Sequence, residues 1–230
     1  GGQVVALLGS TGSGKTSIIN LLLRFYDYQS GSICLDGVEL IDYPIAELRR
    51  QIGIVEQEPF LFSGTIADNI RFGIPDAPME AVEEAARLSN AHDFIVNMPD
   101  GYETEIQEGA VNLSLGQRQL VCIARAVLAN PRILILDEAT SNVDTRTEKL
   151  IQEGLRRLME GKTSFSIAHR LATIRDSHRI MVVNGGEIVE MAPHDELMAM
   201  QGFYYALYMS QFKGKAPAGA SAADVDFVST

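Results

Sequence analysis

The segment Gly9-Ser10-Thr11-Gly12-Ser13-Gly14-Lys15-Thr16 constrains this chain more than any other stretch. It fits the pattern G-x-x-x-x-G-K-[ST] and stands between a short apolar run, Val4–Leu8, and a helix-like run over residues 16–24. In that context glycines let the backbone curl so that successive N–H groups face one phosphate. The helix N-terminus adds a favourable partial charge. Gly9, Ser10, Thr11, Gly12, Ser13, Gly14, Lys15, Thr16 and the following Ser17 are therefore the predicted nucleotide-binding residues. Lys15 is expected to reach the β and γ phosphates. Thr16 offers a hydroxyl to Mg²⁺, a cation that prefers hard oxygen ligands. ATP and Mg²⁺ are thus the expected cofactors. The plain alternative is a Gly/Ser-rich connecting loop that happens to hold a lysine, and the strand before and helix after it argue against that.

A second apolar run, residues 133–136, delivers Asp137 and Glu138 at its C-terminal end, where ligands bind in open α/β sheets. Asp137 is expected to hold the metal through water, and Glu138 to orient and polarise the water that attacks in line. Two solvated acids after a strand are the bland reading, weak beside the Gly-rich turn. Further short apolar runs at Ile52–Val55, 163–168 and 179–183 mostly alternate with helix-like stretches. This predicts an α/β fold with a P-loop NTPase core and a mainly parallel sheet. Asn184-Gly185-Gly186 supplies the positive φ of a hairpin turn into residues 187–190, hence an antiparallel β portion.

Residues 65–130 read as a helical lobe, because Met79–Leu88 is rich in helix formers and a break comes only at Pro99-Asp100-Gly101. No internal repeat or sustained heptad supports a solenoid or coiled coil. Residues 1–212 are the predicted folded domain. Residues 213–230, small residues and proline without a hydrophobic period, are read as a disordered tail. Opening on Gly1-Gly2-Gln3 and entering a strand at once, the chain is expected to be a piece of something longer.

Nineteen basic against 30 acidic residues give a net charge of −11, which opposes polyanion binding, so nucleic acid is not an expected partner. No apolar run approaches the roughly 20 residues of a membrane-spanning helix. Cys34 and Cys122 both sit in apolar stretches and are expected as buried thiols rather than a disulfide, which suits a reducing, cytoplasmic setting.

Other segments carry a family resemblance. Asn112-Leu113-Ser114-Leu115-Gly116-Gln117-Arg118-Gln119 resembles the signature of ABC transporters, and it precedes the Asp137-Glu138 strand as that family's does. Gln57, in Val55-Glu56-Gln57-Glu58-Pro59-Phe60, matches the Q-loop. Ser141-Asn142-Val143-Asp144 resembles the D-loop, and His169, in Ile167-Ala168-His169-Arg170-Leu171, matches the switch histidine. The resemblance covers residues 1–212. It implies that the helical lobe is the ABC-specific one and that Glu138, His169, Gln57 and Lys15 serve catalysis. It further implies that Ser114, Gly116, Gln117 and Asp144 meet nucleotide bound to a second copy, and that Gln57 joins Thr16 and Asp137 at the metal. Two chains would sandwich two ATPs head to tail, with membrane domains fused upstream, at the cytoplasmic face of the cell membrane.

The run Glu56 to Ile70 looks like the exporter version of its region, and Thr104 to Gly109 resembles the exporter X-loop, with Glu108 at its acidic position. The chain departs from the pattern at three points. Leu115 stands where the signature usually has Gly, and Gly109 where Arg usually follows Glu108. No aromatic residue before Gly9 can stack on adenine. Each signature position also has an ordinary reading: Ser114 as a helix N-cap, Asp144 as the start of the helix Thr145–Met159, Gln57 as a polar loop residue, His169 as a packed histidine. An ABC importer ATPase is the nearest rival. A soluble ABC ATPase acting on DNA or ribosomes would need a basic surface, and a purely regulatory nucleotide module would not keep both Glu138 and His169.

Overall fold

The computed structural model describes residues 1–137, 143–167 and 171–212. In chain order the first elements are β1 (Val4–Leu8), α1 (Lys15–Leu22), β2 (Cys34–Leu35), β3 (Val38–Glu39), α2 (Ile45–Arg50), β4 (Ile52–Val55), β5 (Gly64–Thr65) and α3 (Ile66–Arg71). Then follow α4 (Met79–Leu88), α5 (His92–Val96), β6 (Glu105–Ile106), α6 (Leu115–Ala129), β7 (Ile133–Asp137) and α7 (Thr145–Met159). The last are β8 (Thr163–Ile167), α8 (Leu171–Asp176), β9 (Arg179–Asn184), β10 (Glu187–Ala192), α9 (His194–Met200) and α10 (Phe203–Phe212).

The short apolar runs pair into one six-stranded sheet of order β10-β9-β1-β8-β7-β4. Every pairing is parallel except that of β10 with β9, so the mainly parallel sheet with an antiparallel portion is as expected. The registers Val55 with Leu136, Asp137 with Ile167, and Leu8 with Val182 align the C-terminal ends of the parallel strands along one edge. That edge is where an open α/β sheet presents ligand-binding loops.

Alternation along the strands sends successive side chains to opposite faces, and each face is covered. Leu7, Ile135 and Ile167 bury against Ile19 and Leu23 at the α1 side. On the other face Ala6, Leu8 and Val182 meet Ile174, Leu197 and Tyr204 from α8 to α10. Leu134 and Leu136 join the largest core, where Ile66, Ile70, Val82, Ile95, Leu120, Ile123 and Ile151 gather. The central member of that core is α6, which touches α3, α4, α7 and β4. It is apolar on most of its circumference because it is enclosed.

One sequence expectation fails. Cys122 is buried on α6, but Cys34 is exposed, although both thiols are free as expected. The run around Cys34 forms only a two-residue strand of a small ribbon. Its neighbours Ile33 and Leu35 are half-buried, so alternation turns Cys34 outward. Among the described residues no helix is long and apolar enough to cross a membrane.

Candidate nucleotide site

The chain leaves β1 at Leu8, turns through Gly9 to Gly14 and enters α1 at Lys15. The turn is drawn tight by the Ser13 N–H, which donates to the Ser10 carbonyl at 3.1 Å. Gly9 is obligatory: a Cβ there would lie 2.3 Å from the Val183 carbonyl oxygen and 2.5 Å from Ser13 Oγ. Gly14 N-caps α1 at φ 111° and brings no capping side chain, so the first-turn N–H groups of α1 stay open for an anion. From behind, Gly186 in the β9–β10 turn donates its N–H to the Ser13 carbonyl at 2.9 Å and braces the loop. Ser13 itself is buried, and its hydroxyl has no hydrogen-bond partner.

Lys15 Nζ donates to the carbonyls of Gly9 and Ser10, both at 2.8 Å, so the ammonium is folded across the loop. Burial lowers its pKa below the ordinary lysine value, while the nearby Asp137 carboxylate opposes that shift. Asp137 closes β7, half-buried, two strands from β1. Thr16 and Ser17 are exposed in the first turn of α1, as are Ser10, Thr11 and Gly12 in the loop. Gln57 is exposed two residues beyond β4, the strand paired with β7. The structure therefore gathers Lys15, Thr16, Asp137 and Gln57 along the C-terminal edge. Glu138, His169, Ser141 and Asn142 lie outside the described residues.

Ser114, Gly116 and Gln117 form a second group at the start of α6. Ser114 Oγ accepts the Gln117 N–H at 3.2 Å, and Gln117 Oε1 accepts the Ser114 N–H at 2.9 Å, a reciprocal capping box. Gly116 is buried: a Cβ there would stand 2.3 Å from Thr147 Cγ2 and 3.2 Å from Val143 Cγ1. The first turn of α7 thus packs directly on the first turn of α6. Asp144 caps α7, its Oδ1 accepting the N–H groups of Arg146 at 3.1 Å and Thr147 at 3.0 Å. Hydrogen bonds from the Thr147 N–H and hydroxyl hold its carboxyl below the usual carboxylate range. The ordinary readings of Ser114 and Asp144 as helix caps are therefore fulfilled.

The exporter-like segment is also built by capping. Thr65 and Asp68 form the box that starts α3, and the amide of Asn69 bridges the Phe62 N–H, the Phe62 carbonyl and the Thr65 carbonyl. Glu108 is exposed in a 3₁₀ turn, and Gly109 beside it takes φ 70°. Sequence reasoning missed a stripe on α6. Gln119 Nε2 donates to the Glu56 carbonyl at 3.2 Å, the Cys122 thiol to the Phe60 carbonyl at 3.6 Å, and Arg125 Nη1 to that same carbonyl at 3.1 Å. Gln119, Cys122 and Arg125 recur at i, i+3 and i+6, but Gln117 and Arg118 in the same helix are polar too, so the sequence alone does not mark the stripe.

Comparison with known proteins gives the class. The profile of the ABC transporter family matches residues 1–141, and the chain belongs to that family as an ABC-type ATPase domain, which binds ATP. It is 52% identical over 212 residues to an ATP-dependent lipid A-core flippase of Syntrophus aciditrophicus, covering 92% of this chain and 35% of that protein. It is 50% identical over 206 residues to a fatty acid ABC transporter ATP-binding/permease protein of Mycobacterium bovis, covering 90% of this chain and 33% of that one. A solved bacterial Atm1-family ABC exporter with ATP bound superposes with a TM-score of 0.84 at 40% identity, covering 95% of this chain and 38% of that one. The chain thus spans about a third of the length of the curated relatives it matches.

Proposed function

We propose that this chain hydrolyses Mg-ATP in a head-to-tail dimer of two such domains and thereby powers export through membrane domains of the same transporter. The observation that carries the reading is the cradle. It combines an uncapped helix N-terminus, a buried Ser13 hydroxyl without a partner, and a Lys15 ammonium that spends its hydrogen bonds on loop carbonyls. Each is a donor suited to phosphate oxygens. Lys15 turns from those carbonyls to the β and γ phosphates. The Thr16 hydroxyl, Asp137 and Gln57 supply the hard oxygens that suit Mg²⁺, whose charge neutralises the phosphates when bound. Glu138 takes the proton of the attacking water, and His169 stabilises the γ-phosphate side.

The Ser114–Gly116 helix start, with Gln117 and Asp144, faces the nucleotide of the partner copy. Closure then requires γ-phosphate, and hydrolysis releases it. Membrane domains in the same polypeptide are supported by the relatives, whose remaining two-thirds is unmatched here and one of which is named an ATP-binding/permease protein. The site accordingly works as a membrane-associated ATPase on the cytoplasmic side.

Phosphate release and nucleotide affinity test the reading together. Glu138→Gln is expected to keep Mg-ATP affinity while losing about 10²–10⁴-fold in hydrolysis, the usual contribution of a positioned base. Lys15→Ala is expected to lose affinity itself. Unchanged phosphate release in Glu138→Gln would sink the assignment.

A further inference from the structure

The segment between β4 and the exporter-like run is not a free loop. Glu56 at its start and Phe60 at its end are each held through their carbonyl oxygens by side chains of one helix, α6. Gln119 holds the first carbonyl and Arg125 the second. Gln119 is buried, and it spends an amide donor on the residue directly before Gln57. Arg125 is anchored in turn: Nε donates to the Asn69 carbonyl and Nη2 to Asn69 Oδ1, both at 2.9 Å, with its guanidinium carbon 5.2 Å and 5.6 Å from the ring centroids of Phe62 and Phe72. Phe62 and Phe72 stack at 4.0 Å. A guanidinium fixed from several directions makes a stiff anchor.

Between the two held carbonyls Gln57 and Glu58 are exposed, while Pro59 is buried. The same helix begins, about 7.5 Å before Gln119, at the Ser114 cap.

We infer that Gln119 and Arg125 are positioning residues that fix Gln57 to the helix carrying Ser114, so that the metal-facing glutamine and the partner-facing helix start move as one body. The inference rests on the role proposed above for Gln57 and adds how that residue is aimed. A displacement of α6 on meeting a second copy's nucleotide carries Gln57 with it. Binding at one half of the dimer is thereby transmitted to the metal of the other.

A double-mutant cycle tests it. Gln119→Met, similar in length but without an amide donor, is expected to lower kcat by roughly ten- to a hundredfold, as misplacement of a catalytic group does, with KM for ATP unchanged. In a Gln57→Ala background the same substitution is expected to be silent. In the nucleotide-free chain, amide hydrogen exchange in residues 56–60 is expected to quicken in Gln119→Met and in Arg125→Met, and less in Arg125→Lys. Equal losses of kcat in both backgrounds, or unaltered exchange, would overturn the inference. If Gln57→Ala alone leaves kcat intact, the proposed role of Gln57 fails, and the exchange measurement still decides whether α6 holds the segment. Should Gln119→Met not fold, Gln119→Asn, an amide one methylene short, takes its place in the cycle.

Discussion

Gly116→Ala isolates the contact between the two helix starts of the signature region. In an exposed helix interior this exchange stabilises by up to about 1 kcal/mol, since Gly is the poorer helix former. Here the new methyl would stand 2.3 Å from Thr147 Cγ2 and 3.2 Å from Val143 Cγ1. Both obstacles belong to β-branched side chains, which have few rotamers to retreat into. Over-packing of this kind costs about 1–3 kcal/mol, so a net loss of about 1–2 kcal/mol is expected. For a domain of this size that is a fall in Tm of about 2–8 °C by calorimetry. The structure also specifies the remedy. Thr147→Ser deletes Cγ2 while keeping the hydroxyl beside Asp144, and should recover at least about 0.5 kcal/mol of the loss, as touching residues do. A Gly116→Ala chain that melts at or above the parent, or whose loss Thr147→Ser leaves untouched, would refute the packing argument.

Gly9→Ala places a methyl 2.3 Å from a carbonyl oxygen, which cannot swing aside as a side chain can. Its cost should reach the upper end of about 1–3 kcal/mol, with nucleotide affinity lost in a binding titration. Ser166 is fully buried on β8, flanked in register by Ala6 and Leu136, and its hydroxyl has no partner. Ser166→Ala should therefore raise the urea midpoint, since leaving such a group unpaired costs about 1–3 kcal/mol. Asp144 has a folded-state pKa below its ordinary value, so its contribution is present at neutral pH. It is lost as pH falls below about 4 toward the folded value. Asp144→Asn, still able to cap α7, should flatten the acid limb of the stability profile, and an unchanged limb would count against the cap.

What the sequence disclosed and what it hid follow from range. The Gly-rich turn, the strand ending in Asp137 and the 184–186 hairpin are legible because each depends on a few contiguous residues, and a glycine-rich turn or an apolar run announces itself locally. Cys34 was misjudged because an apolar neighbourhood does not say which side of a two-residue ribbon faces in; only the pairing with Val38–Glu39 does. The clamp from α6 onto Glu56 and Phe60 joins residues more than 60 positions apart, and no local pattern specifies such a pairing. The brace from Gly186 to Ser13 was hidden for the same reason. The hairpin glycines were legible as a turn, but not as the backing of the phosphate loop.

The outward turn of Cys34 makes the chain a ready substrate for selective labelling. Thiolates, not thiols, react with maleimides, and burial pushes the Cys122 thiol up to about 11, so at neutral pH that sulfur is both shielded and protonated. Of this chain's two cysteines, Cys34 alone would then take up a fluorophore, at the β2–β3 ribbon. Energy transfer between dyes on two copies would then report whether the proposed dimer closes and reopens as nucleotide is added.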